Sequence, residues 1–200
     1  MPDAAVIAPP RRMTYEEFLA DPSEEHAEWV NGEVCPMPSV SDAHNEITAF
    51  LLLIMGAHVS TRELGRVFHD PFNMKTGPDL PGRAPDVAFV ASANLNRVRG
   101  NHLEGPADLV VEVISPGGAG RDRGDKYLEY EAGGVREYWL IDPQRHVAEF
   151  YLLGPDGRYE LATGYGDEYE SRGLPGFRLP IAWLWSPPTG GAMTRYLATL

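Results

Sequence analysis

Asp86, Glu112 and Lys126 combine residue types and spacing that suit metal-assisted hydrolysis. Glu112 stands out first. It interrupts Leu109-Val110-Val111-Glu112-Val113-Ile114, a run of branched apolar residues that reads as a strand covered on both faces. Burying a carboxylate costs several kcal/mol unless it is paired or bound to a metal. Asp86 follows Pro85 and opens the preceding long strand, Asp86-Val87-Ala88-Phe89-Val90. If the two strands pair, both carboxylates converge at one end of a sheet and repel each other. A hard divalent cation such as Mg²⁺ removes that repulsion and takes oxygen ligands. Lys126, on the helix after the Glu112 strand, adds an ammonium able to orient a water or steady charge on a phosphate. The plainer alternative is a strand-start acid, a core acid paired with Arg or Lys, and a solvated lysine.

These side chains need a frame, and the pattern supplies one. Thr14-Tyr15-Glu16-Glu17 reads as a capping box opening a short helix to about Ala20. Asn31-Gly32, between two short alternating runs, is a type I′ hairpin signal. Ser41 or Asp42 caps the longest helix, whose Ile47, Phe50, Leu51, Ile54 and Met55 recur at helical spacing to about Val59. Short strands follow at Arg66–Phe68 and Phe72–Met74, then the two long ones. A glycine-rich loop after Ser115 leads into a helix from about Asp122 to Ala132, stopped by Gly133-Gly134. Glu137–Ile141 is the next strand, and Val147–Leu153 with Tyr159–Leu161 begin a meander. The order implies an α/β fold with a mixed sheet flanked by helices. Residues 1–12 read as a disordered tail, 13–186 as one domain, and 187–200 as a loose C-terminal tail.

Composition closes off several classes. The longest apolar run, Ala49 to Ala57, is too short to span a bilayer, and no secretory pattern opens the chain, so a cytoplasmic protein is expected. One cysteine, Cys35, rules out an internal disulfide and a cysteine-based zinc cluster, and reads as a buried structural thiol. The glycines at 117, 118 and 120 lack the Gly-Lys-Ser/Thr ending of a phosphate loop, and no Gly-x-Ser-x-Gly elbow occurs. A net charge of −12 argues against tight, general binding to a polyanion. Local charge still sets the field at a cleft.

The segments Pro85-Asp86-Val87, Asp108 through Pro116, Arg121-Asp122-Arg123-Gly124-Asp125-Lys126 and Gly134 through Pro143 resemble the Uma2 family. That family is assigned to the PD-(D/E)xK restriction-endonuclease-like superfamily. The resemblance runs from about Thr14 to Leu184 and takes in a Glu-x-x-x-Gly-Glu hairpin, Glu28 to Glu33, and His44 at the start of the long helix. It implies a restriction-endonuclease-like core with an extra N-terminal hairpin and a C-terminal β-meander. Asp86 and Glu112 take the places of the metal-binding acids. The motif lysine, normally two residues after the second acid, is replaced there by Ile114, and Lys126 fills its role from the next helix. Glu28 corresponds to a further acid at the site, with Glu33 and Glu46 as substitutes.

The implied activity is Mg²⁺-dependent cleavage of phosphodiester bonds in DNA or another nucleic acid, with Mn²⁺ as a possible replacement. A homodimer would present two sites to two strands. His44, Arg121 and Arg123 are candidate substrate contacts, and Arg97 and Arg99 lie between the two acidic strands. The same arginines also suit a solvated charged loop. Two other classes stay open: a catalytically silent nuclease-fold module for binding or assembly, and a hydrolase of a smaller phosphodiester.

Overall fold

Branched and aromatic residues build the central strands, as a surface buried on both faces requires. The computed structural model describes residues 11–24, 26–37, 39–115 and 120–199, with every side chain among them except those of residues 24 and 121. The strands are β1 (Ala27–Val30), β2 (Glu33–Pro36), β3 (Gly65–His69), β4 (Asn73–Lys75), β5 (Gly82–Arg83), β6 (Val87–Ala91) and β7 (Val98–Arg99). They continue as β8 (His102–Glu104), β9 (Leu109–Val113), β10 (Glu137–Asp142), β11 (Val147–Leu153), β12 (Tyr159–Leu161), β13 (Glu168–Glu170) and β14 (Arg178–Pro180). The α-helices are α1 (Tyr15–Ala20), α2 (Asp42–Thr61), α3 (Tyr127–Gly133) and α4 (Gly190–Leu197).

A main six-stranded sheet runs β12-β11-β10-β9-β6-β3, and a second runs β2-β1-β5-β4-β8-β7. Each holds one parallel pair, β9 with β10 and β4 with β8. The sequence led to one mixed sheet with an added hairpin; instead the hairpin β1–β2 is the edge of a second sheet. Its strands beyond that hairpin are two or three residues long, too short for alternation to reveal them. As expected, β11 and β12 extend the main sheet as a meander.

Alternation sorts the core into two layers. Val87, Phe89, Val111, Val113, Trp139 and Ile141 pack against α2 through Leu51, Ile54 and Met55. Ala88, Val90, Val110, Ile114, Tyr138 and Leu140 face the opposite way, onto Met74 and Leu103 of the second sheet and Tyr130 of α3. Glu112 lies between Val110 and Ile114 in this second face, so its carboxylate points between the sheets.

Local signals hold where short-range chemistry decides. Thr14 and Glu17 form the reciprocal capping box of α1. Asn31 and Gly32 take φ values of 52° and 87°, and Val30 pairs with Glu33 across the turn. Ser41 caps α2 by accepting from the His44 backbone N–H at 3.2 Å. Gly134, at φ 81°, ends α3 in the left-handed region. Residues 190–197, read from sequence as part of a loose tail, form α4. Its Met193, Tyr196 and Leu197 pack on the core, and tertiary burial outweighs the weak propensity of Gly190-Gly191. Cys35 is half-buried rather than buried, on the outer strand β2. Residues 1–10 of the expected tail lie outside the described residues. No helix among the described residues is long and apolar enough to cross a membrane.

One buried acid is wholly structural. Glu137 opens β10 and accepts from the Trp139 indole, the Tyr169 hydroxyl at 3.0 Å, the Ser171 hydroxyl at 3.0 Å and the Arg172 and Gly173 backbone N–H groups. It clamps the segment after β13 to the main sheet using neutral donors alone. Glu137→Ala strands those donors and is expected to cost about 3–5 kcal/mol of stability. Denaturant unfolding checks this; a loss below about 1 kcal/mol would remove the clamp from the account.

Candidate active site

Strand pairing brings the two acids together. β6 and β9 run antiparallel with Val87 opposite Val111, so Asp86 and Glu112 face each other one step beyond that pair. The parallel β9–β10 pair demands a crossover, and the chain returns over the end of β9 as a six-residue π-helix, Arg121–Lys126, running into α3. π-turns are uncommon and tend to mark functional places. Asp122, Lys126 and Tyr130 recur at four-residue spacing and turn inward together.

Lys126 is the hub. Its Nζ donates to Glu112 Oε2 at 2.9 Å and lies 3.2 Å from Glu28 Oε1 and 3.7 Å from Asp122 Oδ1. Glu28, Glu112 and Lys126 are 0%, 2% and 4% exposed, so these charges meet almost without solvent. The Tyr130 hydroxyl donates to Glu112 Oε1 at 2.7 Å, so both Glu112 oxygens are held. Arg83 donates to Glu28 Oε2 at 2.8 Å and grips Glu129 of α3 with a two-pronged contact at 2.7 and 2.8 Å. Gly82 beside it lets the Tyr15 ring lie against β5, since a Cβ there would come within 2.4 Å of that ring.

Asp86 is anchored separately. Its Oδ2 accepts from the Val113 backbone N–H at 2.7 Å and meets His44 Nε2 at 3.1 Å. The α2 cap and the strand end therefore fix this carboxylate from two sides. Its Oδ1 makes no hydrogen bond among the described residues.

The electrostatics are unbalanced. Burial pushes the Glu112 carboxyl well above the usual carboxylate range; Lys126 opposes the rise, while Asp86, Asp122 and Glu28 add to it. Burial also acts to raise Glu28, yet Lys126 and Arg83 outweigh it and hold that carboxyl below its usual range. Burial acts to lower Lys126, but the acids around it, Glu112 first, overcome that and keep the ammonium charged. Burial and Glu112 keep Tyr130 protonated, as a donor must be. Among the described side chains, Glu28, Glu112, Asp122 and Glu129 contact the two cations Lys126 and Arg83, and Asp86 lies close enough to raise Glu112 further.

That surplus of negative charge is the condition a divalent cation relieves. Among the described residues no three His, Cys, Asp or Glu side chains are grouped to enclose an ion. Mg²⁺ does not need such a cage, because it keeps several waters and binds through one or two carboxylates. The pair Asp86 and Glu112 fits that mode, with Lys126 as the neighbour that would have to give way at Glu112.

Other residues singled out in the sequence fall differently. Glu28, rather than Glu33 or Glu46, joins the cluster: Glu33 pairs with Arg12, and Glu46 is exposed. His44 touches Asp86 and so positions an acid, whatever else it meets. Arg123 does not line the space over Glu112; it is engaged with Glu149 and Asp142 of the main sheet. Its guanidinium is thus committed to the fold, because the π-helix turns it away from Lys126. Arg97 and Arg99 are likewise spent locally, on Pro106 and on Glu104. The Arg121 side chain lies outside the described ones, as do Pro116 to Ala119 of the glycine-rich loop. Sequence reading missed Arg83 and Tyr130. Tyr130 was findable from its spacing after Lys126, whereas Arg83 depends on the pairing of β1 with β5, at Trp29 and Gly82.

The family model Uma2, described as "Putative restriction endonuclease", matches residues 13–182. An "Uncharacterized protein sll1609" of Synechocystis sp. (strain ATCC 27184 / PCC 6803 / Kazusa) is 24% identical over 168 residues, covering 82% of this chain and 94% of that protein. A crystal structure from Anabaena variabilis ATCC 29413, described as "a putative nuclease belonging to DUF820", aligns with a TM-score of 0.72 at 20% identity. The match covers 87% of this chain and 98% of that one, and shows that the fold is shared.

The opposed shifts of Glu112 and Glu28 give opposite pH signatures. Glu112 is raised on folding, so its contribution is present in acid and is lost as pH rises through its folded value. Glu28 is lowered, so its contribution is present above the usual range and is lost as pH falls. In chelator, Glu112→Gln should gain stability relative to wild type between about pH 4 and pH 8, and Glu28→Gln should lose it. Denaturant midpoints across that range decide, and parallel curves for both variants would count against the charge imbalance.

Proposed function

Since the chain belongs to the Uma2 family, we propose that it is a metal-dependent nuclease whose chemistry runs at Asp86, Glu112 and Lys126. The observation that carries this reading is the meeting of two acids across β6 and β9 with a buried, charged lysine on one of them. A Mg²⁺ or Mn²⁺ ion held by Asp86 and Glu112 would polarise a phosphate and lower the pKa of a bound water. The remaining work falls to the chain's own groups. Lys126 brings a permanent positive charge to the place where negative charge builds on the phosphate. Glu28, itself fixed by Arg83, holds that ammonium from behind, so its position survives when Glu112 turns to another partner. Tyr130 restrains Glu112 through its other oxygen, while His44 and the Val113 N–H restrain Asp86, which limits how far either acid must move.

The substrate on this reading is DNA or another nucleic acid, met in the cytoplasm, and two copies of the chain would serve two strands. A second reading, a silent module for binding or assembly, draws on Lys126 being already satisfied by acids without a metal.

Cleavage of single- and double-stranded DNA and RNA in Mg²⁺ or Mn²⁺ tests the choice. Asp86→Ala, Glu112→Ala and Lys126→Met should each cut at least about a hundredfold more slowly than wild type. Calorimetry should show metal binding that Glu112→Ala abolishes. Neither cutting nor metal binding by the wild type would leave the silent module as the better description.

A further inference from the structure

We propose that a cleft beside this site holds an unpaired base next to the cleaved bond, so that the substrate is single-stranded or locally opened nucleic acid. The identity of the cleaved bond rests on the nuclease reading; the cleft rests on separate observations.

A cavity of about 730 Å³ lies between α1 and the β3–β4 connection. Phe68 and Phe72 line it, stacked with ring centroids 4.5 Å apart and planes 20° from parallel. His69 lines this cavity and also a second one of about 220 Å³, shared with His44, Thr48, Asp70 and Asp86. His44 and Asp86 in turn line the space of about 40 Å³ over Glu112 and Lys126. The three spaces thus form a track from an aromatic cleft to the candidate active site.

Unmet hydrogen-bonding capacity follows the same track. Among the described residues, six buried side-chain polar atoms lack a partner, and four of them belong to residues lining it. They are Asn73 Oδ1, Asp70 Oδ1, Thr48 Oγ1 and His44 Nδ1. Buried polar atoms are nearly always paired, so a concentration of unpaired ones beside a cavity leaves hydrogen-bonding capacity there for a ligand or for water that a ligand displaces.

The chemistry selects the ligand. Asn73 Oδ1 and Asp70 Oδ1 accept hydrogen bonds, so the occupant must offer N–H or O–H donors. Among the described residues, Lys and Arg are absent from the linings of both larger cavities, and Asp70 is acidic, which disfavours a phosphate there. A nucleobase satisfies both conditions: a flat face for Phe72 and an amino or imino edge for the carbonyl and carboxylate. The phosphate then stays beside Lys126. In a duplex the faces are stacked and the pairing edges engaged, so only an unpaired or extruded base can enter. A chain carrying −12 gains little from counterion release, which also favours base contacts over backbone contacts.

Fluorescence anisotropy with a labelled single-stranded oligodeoxynucleotide, with Ca²⁺ in place of Mg²⁺, tests the cleft. Wild type should bind the single strand at least about tenfold more tightly than its duplex, Phe72→Ala should lose about tenfold, and Phe72→Trp should bind like wild type. An abasic nucleotide moved along the strand should weaken wild type at one position and leave Phe72→Ala unaffected there. Phe72→Trp should keep the abasic effect, and residual binding by Phe72→Ala shows that the variant is folded. Equal affinity for single strand and duplex, no position-specific abasic effect, or no binding of the single strand would each overturn the proposal. Cutting without the abasic coupling removes the cleft and leaves the nuclease reading; the coupling without metal-dependent cutting does the reverse.

Discussion

A single protonated amine holds the functional end of this molecule together. Lys126 joins Glu28 from the second sheet, Glu112 from the centre of the main sheet and Asp122 from its own π-helix. Arg83 completes the tie by linking β5 to both Glu28 and Glu129. Two sheets and a crossover helix therefore meet through charge rather than through apolar packing alone. Removing one partner from such a buried group leaves the others uncompensated, which is why the cluster behaves as a unit.

The comparison of Glu112 with Glu137 shows what burial alone cannot tell. Both are strand acids in the interior of the same sheet, and both are fully hydrogen-bonded. Glu137 faces neutral hydroxyl, indole and backbone donors and does nothing but fasten the chain. Glu112 faces a cation and a phenol in the company of other acids, and its ionisation is strained. Proteins tolerate such strain mainly where it is used.

Much of this arrangement was legible in the residues themselves. The lone acid in a branched strand, the proline-led aspartate, the Asn-Gly turn and the helix caps are short-range signals, and each lies where its chemistry requires. The second sheet was not legible, because strands such as Gly82–Arg83 carry no periodicity and exist only by pairing across the chain. Arg83 was hidden for the same reason. Arg123 misled in the other direction: its place beside Lys126 in sequence says nothing about direction on a helix of unusual pitch. The final helix escaped notice because its stability comes from the Trp183–Tyr196 contact and its neighbours rather than from propensity.

The π-helix carries a further implication, about chain length. Hydrogen bonds from each residue to the fifth along, rather than the fourth, absorb one surplus residue within a helical turn. Arg121–Lys126 is such a turn, and Tyr130 beyond it is aimed by the same surplus. Exposed positions nearby, such as Asp125 and Leu128, are free to change identity. A gap of one residue between Asp122 and Lys126 is another matter, since it would shorten the rise between them and draw the amine along the helix axis, away from where its acids now meet it. In this chain the length of the segment is therefore tied to the contacts that the lysine makes.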